Sequence, residues 1–262
     1  MEANPPISDD TVVLERSVLW GESWPLDRPS RTLRFGETRV EVVKVNEEVL
    51  RVAESGSGGA PMIVGLGRGG GRLAYGHIRR TRPLLLRFPR PVRIGPQATL
   101  PIFSTYPIQP ALFYEAPDGS RMKILDLTTA LLPKTLYGRP DDGVLCDLHY
   151  GPAEISSDAI RADRLHAILL VRLVNRSPEP RETGILMLDA PALDFYVLGE
   201  RLCLNAIELK VLSPTVVDVA YIREPSLPGA RLVDARLRET SPGAAGELLR
   251  MVLGQRDMER GI

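Results

Sequence analysis

Eight arginines, with no lysine, aspartate or glutamate among them, occupy the 60 positions from Ser55 to Tyr114. They are Arg68, Arg72, Arg79, Arg80, Arg82, Arg87, Arg90 and Arg93. The chain as a whole is neutral, with 33 basic and 33 acidic residues, so the imbalance is segmental. Residues 1–54 carry 7 basic and 11 acidic side chains, and residues 115–262 carry 18 and 22. Clustered guanidinium groups suit anions, because phosphate and carboxylate oxygens accept charge-assisted hydrogen bonds from them. Arg68, Arg72, Arg79, Arg80 and Arg82 are therefore the candidate anion-binding residues. Tyr75, His77, Phe88, Phe103 and Tyr106 supply rings in the same block, which the binding of a single nucleic-acid strand would use for stacking. The competing reading is structural. An arginine that alternates with apolar neighbours along a strand, as Arg87 and Arg93 do, solvates one face of a sheet, and others can pair with the acidic flanks after folding.

Two further groupings carry possible chemistry. Gly65-Leu-Gly67-Arg-Gly69-Gly70-Gly71 contains the GxGxxG spacing after a short apolar run. In a dinucleotide-binding unit such glycines admit a pyrophosphate to a helix N-terminus, and an acidic residue about 20 positions on holds the ribose. Here the following segment, RLAYGHIRRTRP, is a poor helix, and no acid lies in Leu84–Arg90. What remains is a flexible loop, or a nest of backbone amides that binds an anion with Arg68 and Arg72. Asp141, Asp142, Asp147 and His149 form the best metal or acid–base grouping. Asp147 and His149, two apart, share one face of a strand. They are the weak metal candidates, since a divalent site wants at least three ligands and Asp141-Asp142-Gly143 is also an ordinary turn. There is no Gly-x-Ser-x-Gly elbow and no HExxH, and the histidines His77, His149 and His166 are scattered. No cofactor is expected.

Composition sets the surroundings. With 25% charged and 44% apolar residues, the 262-residue chain is ordinary for a globular protein long enough for one large or two small cores. Aromatic residues are only 5%, which leaves the core to Leu, Val, Ile and Ala. No apolar run approaches the ~20 residues of a membrane-spanning helix. The start, MEANPPISDD, is not a secretory signal. A cytoplasmic location is expected, with Cys146 and Cys203 as small core residues rather than a disulfide framework. Arginine outnumbers lysine 29 to 4, Asn and Gln together number 7, and there are 23 prolines, a usage that fits a hot habitat.

These groups must be positioned by strands. Apolar and polar residues alternate over Thr38–Val45, with Val40, Val42 and Val45 among polar neighbours, and Glu48–Glu54 reads as its return. Met62–Val64, Leu84–Phe88, Val92–Ile94, Leu100–Phe103, Ala111–Glu115 and Arg121–Leu127 follow. Val144–Tyr150, Ala167–Asn175, Gly184–Asp189, Leu193–Leu198, Leu202–Val211 and Val216–Ile222 complete the series. Turn residues separate them at short intervals, the signature of an antiparallel β-sandwich. Helical pattern enters only at the end. There Ser241 and Pro242 suit a helix start, Ala245, Leu248, Leu249 and Val252 make an apolar stripe, and Gly254 a stop.

The segment LLPKTLYGRPDDGVLCDLHYGPAEIS, Leu131 to Ser156, carries the pattern Lys134-Thr-Leu-Tyr137-Gly138, a Pro and Gly turn, then Gly143-Val-Leu-Cys146. Together with the Arg/Leu-rich strand before it and VRLVNRS after it, this stretch resembles an archaeal family of proteins of unknown function. The resemblance covers about two thirds of the chain. It implies an archaeal source and a mostly β fold, and it implies no activity. Tyr137, Gly138, Gly143 and Cys146 read as a turn, a hairpin and a buried strand.

The expectation is a mostly β protein with a small N-terminal β unit over residues 1–80 that carries the Gly-rich loop. An antiparallel sandwich with a C-terminal helix follows over 81–262, and the two could merge into one domain. The leading functional expectation is a non-enzymatic binding or scaffold protein whose arginine region meets an anionic or protein partner. Nucleic acid is a lesser candidate, and strand edges leave room for a homo-oligomer. The alternative is a hydrolase or carbohydrate-active enzyme with an acidic cleft.

Overall fold

A computed structural model describes residues 12–14, 20–35, 38–55, 60–66, 70–127, 131–161, 163, 165–211 and 217–234. Within them nineteen strands form four sheets, and helix is limited to two short 3-10 turns, Ser157–Ala159 and Ala190–Ala192. The expected C-terminal helix lies outside the described residues. The chain divides into two compact units, Met1–Ile78 with Gln109–Thr129, and Arg79–Ile108 with Ala130–Ile262. The expected single cut at residue 80 does not contain this return of Gln109–Thr129 to the first unit, because a β-hairpin inserted there gives no compositional sign.

The first unit has two sheets. One orders β1 (Val12–Leu14), β3 (Ser30–Phe35), β4 (Thr38–Asn46), β5 (Val49–Ser55) and β6 (Met62–Gly65) side by side in that sequence. The other runs β11 (Arg121–Asp126), β10 (Pro110–Glu115), β7 (Arg72–His77), β2 (Ser23–Pro25). Period-two burial in β4 puts Val40 and Val42 inside. Val45 is 58% exposed, because the same alternation turns it to the face opposite Val40 and Val42. Phe35 of the first sheet meets Tyr75 of the second at 5.0 Å between ring centroids, and Trp20 stacks on Tyr75 at 4.4 Å.

The second unit pairs β12 (Lys134–Tyr137), β13 (Val144–Tyr150), β8 (Leu84–Ile94) and β15 (Arg181–Leu188) in that order. Its other sheet runs β19 (Arg231–Asp234), β16 (Phe195–Leu198), β17 (Arg201–Val211), β14 (His166–Asn175), β9 (Thr99–Pro107), with β18 (Val217–Pro225) also on β17. The segments Leu84–Phe88 and Val92–Ile94 are one strand, not two. Pro89 and Pro91 do not break it, because the register with β15 shifts between Thr183 and Ile185 and absorbs them as a bulge. Three pairings are parallel, β1 with β3, β13 with β8 and β14 with β17, so the sheets are mostly but not wholly antiparallel. The quoted motif is a hairpin. Gly138 takes φ +106°, Gly143 donates its N–H to the Arg139 carbonyl at 2.7 Å, and Cys146 is fully buried.

Asn175 fastens this unit. Its side-chain amide, fully buried, donates to the carbonyls of Ile94, Gly95 and Glu179 at 3.3, 2.8 and 2.8 Å, while its Oδ1 accepts from the Ser177 N–H at 2.9 Å. One residue thereby holds the β8–β9 turn against the β14–β15 turn. Net hydrogen bonds contribute about 0.5–1.5 kcal/mol each, and orphaned buried groups cost about 1–3 kcal/mol. Asn175→Ala should therefore lower unfolding free energy by roughly 2–4 kcal/mol in urea titration, and a change within experimental error would remove Asn175 from this role.

Candidate functional site

The arginine block is divided by the fold. Arg68 lies outside the described residues. Arg72 is exposed on β7 in the first unit, and Arg79, Arg80, Arg82, Arg87, Arg90 and Arg93 belong to the second. Gly70 and Gly71 do not open a helix, since the chain goes from them directly into β7. Gly70 adopts φ +77° and accepts a hydrogen bond from the Tyr114 hydroxyl at 3.0 Å. A Cβ on Gly71 would collide with the Tyr114 ring and with the Glu115 carbonyl. These two glycines are thus required by a turn and by the close approach of β10.

Arg79 and Arg80 are turned into the protein. Arg79 donates to the Leu193 carbonyl at 2.9 Å and sits 5.5 Å from the centroid of the Phe195 ring. Arg80 donates from Nε to the Pro107 carbonyl at 3.2 Å and from Nη1 to Asp147 Oδ2 at 3.0 Å. The Arg80 and Asp147 side chains are only 12% and 14% exposed. Arg93 is paired at the surface with Glu182 at 2.7 Å. Arg82, Arg87 and Arg90 are exposed, and among the described residues none of them has a carboxylate partner.

Alternation along β13 places Asp147 and His149 on one face, as their spacing requires. The pair meets separate partners there. Asp147 answers Arg80, whereas His149 Nε2 shares a 2.9 Å hydrogen bond with the Thr105 hydroxyl of β9. The His149 ring lies 5.4 Å from that of His166, whose Nδ1 is 2.7 Å from Asp163 Oδ1. Asp141 and Asp142 are exposed in the β12–β13 turn. Among the described residues no three His, Cys, Asp or Glu side chains converge as a metal-ligand set. Thr105, His166 and Tyr106 complete the cluster, and nothing in the sequence groups them with Asp147 and His149, although Tyr106 stands among the candidate rings. They arrive from β9 and β14 through tertiary pairing, with His166 opposite Pro107.

Burial governs the protonation of this cluster. It pushes the His149 pKa down to about 4, with the neighbouring His166 and Arg80 adding to the effect and a hydrogen bond to the Thr105 main chain opposing it. Burial likewise raises Tyr106, with Arg80 and Arg79 pulling the other way. The Cys203 thiol is pushed up to about 11 by burial, which keeps it protonated and poorly nucleophilic. At neutral pH the cluster is a neutral imidazole and a hydroxyl beside an ion pair, an arrangement that fixes strands to one another.

Two outcomes follow from this geometry. Asp147→Ala leaves Arg80 charged and largely buried without a counter-ion, and should cost about 3–5 kcal/mol in urea unfolding, whereas joint replacement of Arg80 by Met and Asp147 by Leu should cost much less. Equal losses for the two variants would contradict a coupled pair. Because the folded-state pKa of His149 is depressed from 6.5 to about 4, the unfolded chain binds the extra proton between those values. Its contribution is present in full above pH 6.5 and is lost as pH falls toward 4, by roughly 3–4 kcal/mol at most at ~1.4 kcal/mol per unit. Urea midpoints measured across that window should fall less steeply for His149→Gln than for the unaltered protein, and parallel slopes would contradict the assignment.

Neither curated proteins nor solved structures give a match to this chain. Residues 19–248 match a family described as Protein of unknown function (DUF432). That span is most of the 262 residues, and the chain belongs to the DUF432 family.

Proposed function

We propose that this protein is a non-enzymatic binding protein whose second unit offers the outward arginines of β8 to an anionic partner. The observation that carries the reading is the contrast within one segment. Arg79, Arg80 and Arg93 have protein partners, while Arg87 and Arg90 are exposed with no carboxylate partner among the described residues. Pro89 and Pro91 flank Arg90 in the bulge, so its backbone is constrained and little order is lost when a ligand is gripped. Arg82, exposed just before β8, extends the same charge.

An acidic-cleft hydrolase fits less well, since Asp147, the carboxylate of the candidate acid–base grouping, is committed to Arg80. The reading takes each unit as a two-layer sandwich, supported by contacts across its sheets at Phe35 and Tyr75 and at Thr105 and His149. It also takes the protein as cytoplasmic and thermophilic, supported by two unpaired cysteines and by the scarcity of Asn and Gln.

Retention on immobilised heparin tests the proposal. The unaltered protein should be held at low salt and released as salt rises, and the double variant Arg87→Ser, Arg90→Ser should elute at distinctly lower salt. Arg93→Ser, which breaks a surface pair with Glu182, should change elution little. Identical elution of the double variant and the unaltered protein would contradict the proposal.

A further inference from the structure

Resting on the anion-binding reading above, we infer that the partner is a single-stranded nucleic acid, with a base stacked on Tyr150 and phosphates held by Arg87 and Arg90. The inference comes from the parallel pairing of β13 with β8. Tyr150 is the register partner of Arg87, and Arg87 is that of Ile185 on β15, so the three side chains form one row on the same side of the sheet. Neighbouring strands lie about 4.8 Å apart, so the two exposed side chains leave the sheet from adjacent positions, with a ring and a guanidinium available to one ligand. Tyr150 is 59% exposed, and among the described residues its side chain makes no ring contact or hydrogen bond. The preceding row, Leu148, Leu85 and Met187, is an apolar floor.

The acids of the two flanking strands are engaged by other arginines. Asp147, the one acid in β13, points to the opposite face and is held by Arg80. Glu182, the one acid in β15, is held by Arg93. A row of one exposed ring and one unpaired guanidinium, with a second arginine three residues further along the strand, matches what an unpaired strand presents: base faces and phosphates in alternation. A duplex stacks its bases inside, and an acidic peptide would engage the arginines alone and leave the tyrosine without a role.

Fluorescence anisotropy with a labelled 12-nucleotide single strand tests this, with the corresponding duplex and polyglutamate as the other arms and heparin retention as the reference. The single strand should bind more tightly than the duplex. Tyr150→Ala should weaken it about tenfold, within the range that loss of one stacked base gives, and Tyr150→Phe should restore it. Arg87→Ser with Arg90→Ser should weaken binding and reduce the slope of log K against log salt by about 1.4, at ~0.7 per phosphate contact on a single strand. If the arginine variant loses heparin and oligonucleotide alike while Tyr150→Ala changes nothing, the anion site stands and the nucleic-acid inference is overturned. Equal affinity for the duplex, or binding of polyglutamate in preference to the strand, overturns it as well. If the arginine variant alters none of these ligands, the binding reading itself fails. Since Tyr150 and both arginines are exposed, unchanged urea midpoints will show that the variants remain folded.

Discussion

The buried ion pair between Arg80 and Asp147 is the constraint that organises the second unit. Two charges largely withdrawn from water repay their desolvation only when they meet each other and fill their remaining hydrogen bonds. Arg80 does so by donating also to the Pro107 carbonyl, which links β9 to β13 through a single side chain. Asp147 stands opposite Leu84, and its N–H donates to the Pro83 carbonyl at 3.0 Å, so the pair also marks where β13 lies on β8. A slip of one residue would turn Asp147 to the other face and leave Arg80 charged without a counter-ion. The same slip would carry Tyr150 away from Arg87 and fully buried Cys146 out of its apolar cluster. The face that carries Tyr150 and Arg87 is therefore set by an interaction on its opposite side.

That constraint divides the arginines by role. Those nearest the start of the second unit, Arg79 and Arg80, reach carbonyls and a carboxylate and act as fasteners. The arginines further along β8 meet solvent, one of them through a proline-flanked bulge. Guanidinium suits both tasks, since its planar fork of donors satisfies several acceptors when buried and grips oxyanions when exposed. The histidine cluster belongs with the fasteners: His149 spends its Nε2 on Thr105, and its low pKa keeps an added charge away from Arg80 at neutral pH.

Much of the strand layout was legible because alternation and turn residues are local. Val40, Val42 and the Tyr137–Cys146 hairpin fall where the residues indicate. The strand Arg72–His77 was not legible: its apolar and aromatic residues are buried almost without alternation, so it carries no period-two signal. The parallel pairings, the return of Gln109–Thr129 and the bulge that keeps Leu84–Ile94 in one piece depend on partners remote in sequence. At the candidate site, the shared face of Asp147 and His149 could be read from their spacing. Which arginine would be buried could not, because Arg80 and Arg82 have similar neighbours in sequence and differ only in whether a carboxylate folds against them.

Arginine-selective modification with phenylglyoxal, mapped by mass spectrometry with and without heparin, tests the division between internal and outward arginines most directly. Arg87 and Arg90 should react quickly in the free protein and be protected when heparin is bound, while Arg80 should stay unmodified in both states. Rapid modification of Arg80, or undiminished modification of Arg87 and Arg90 under saturating heparin, would contradict it.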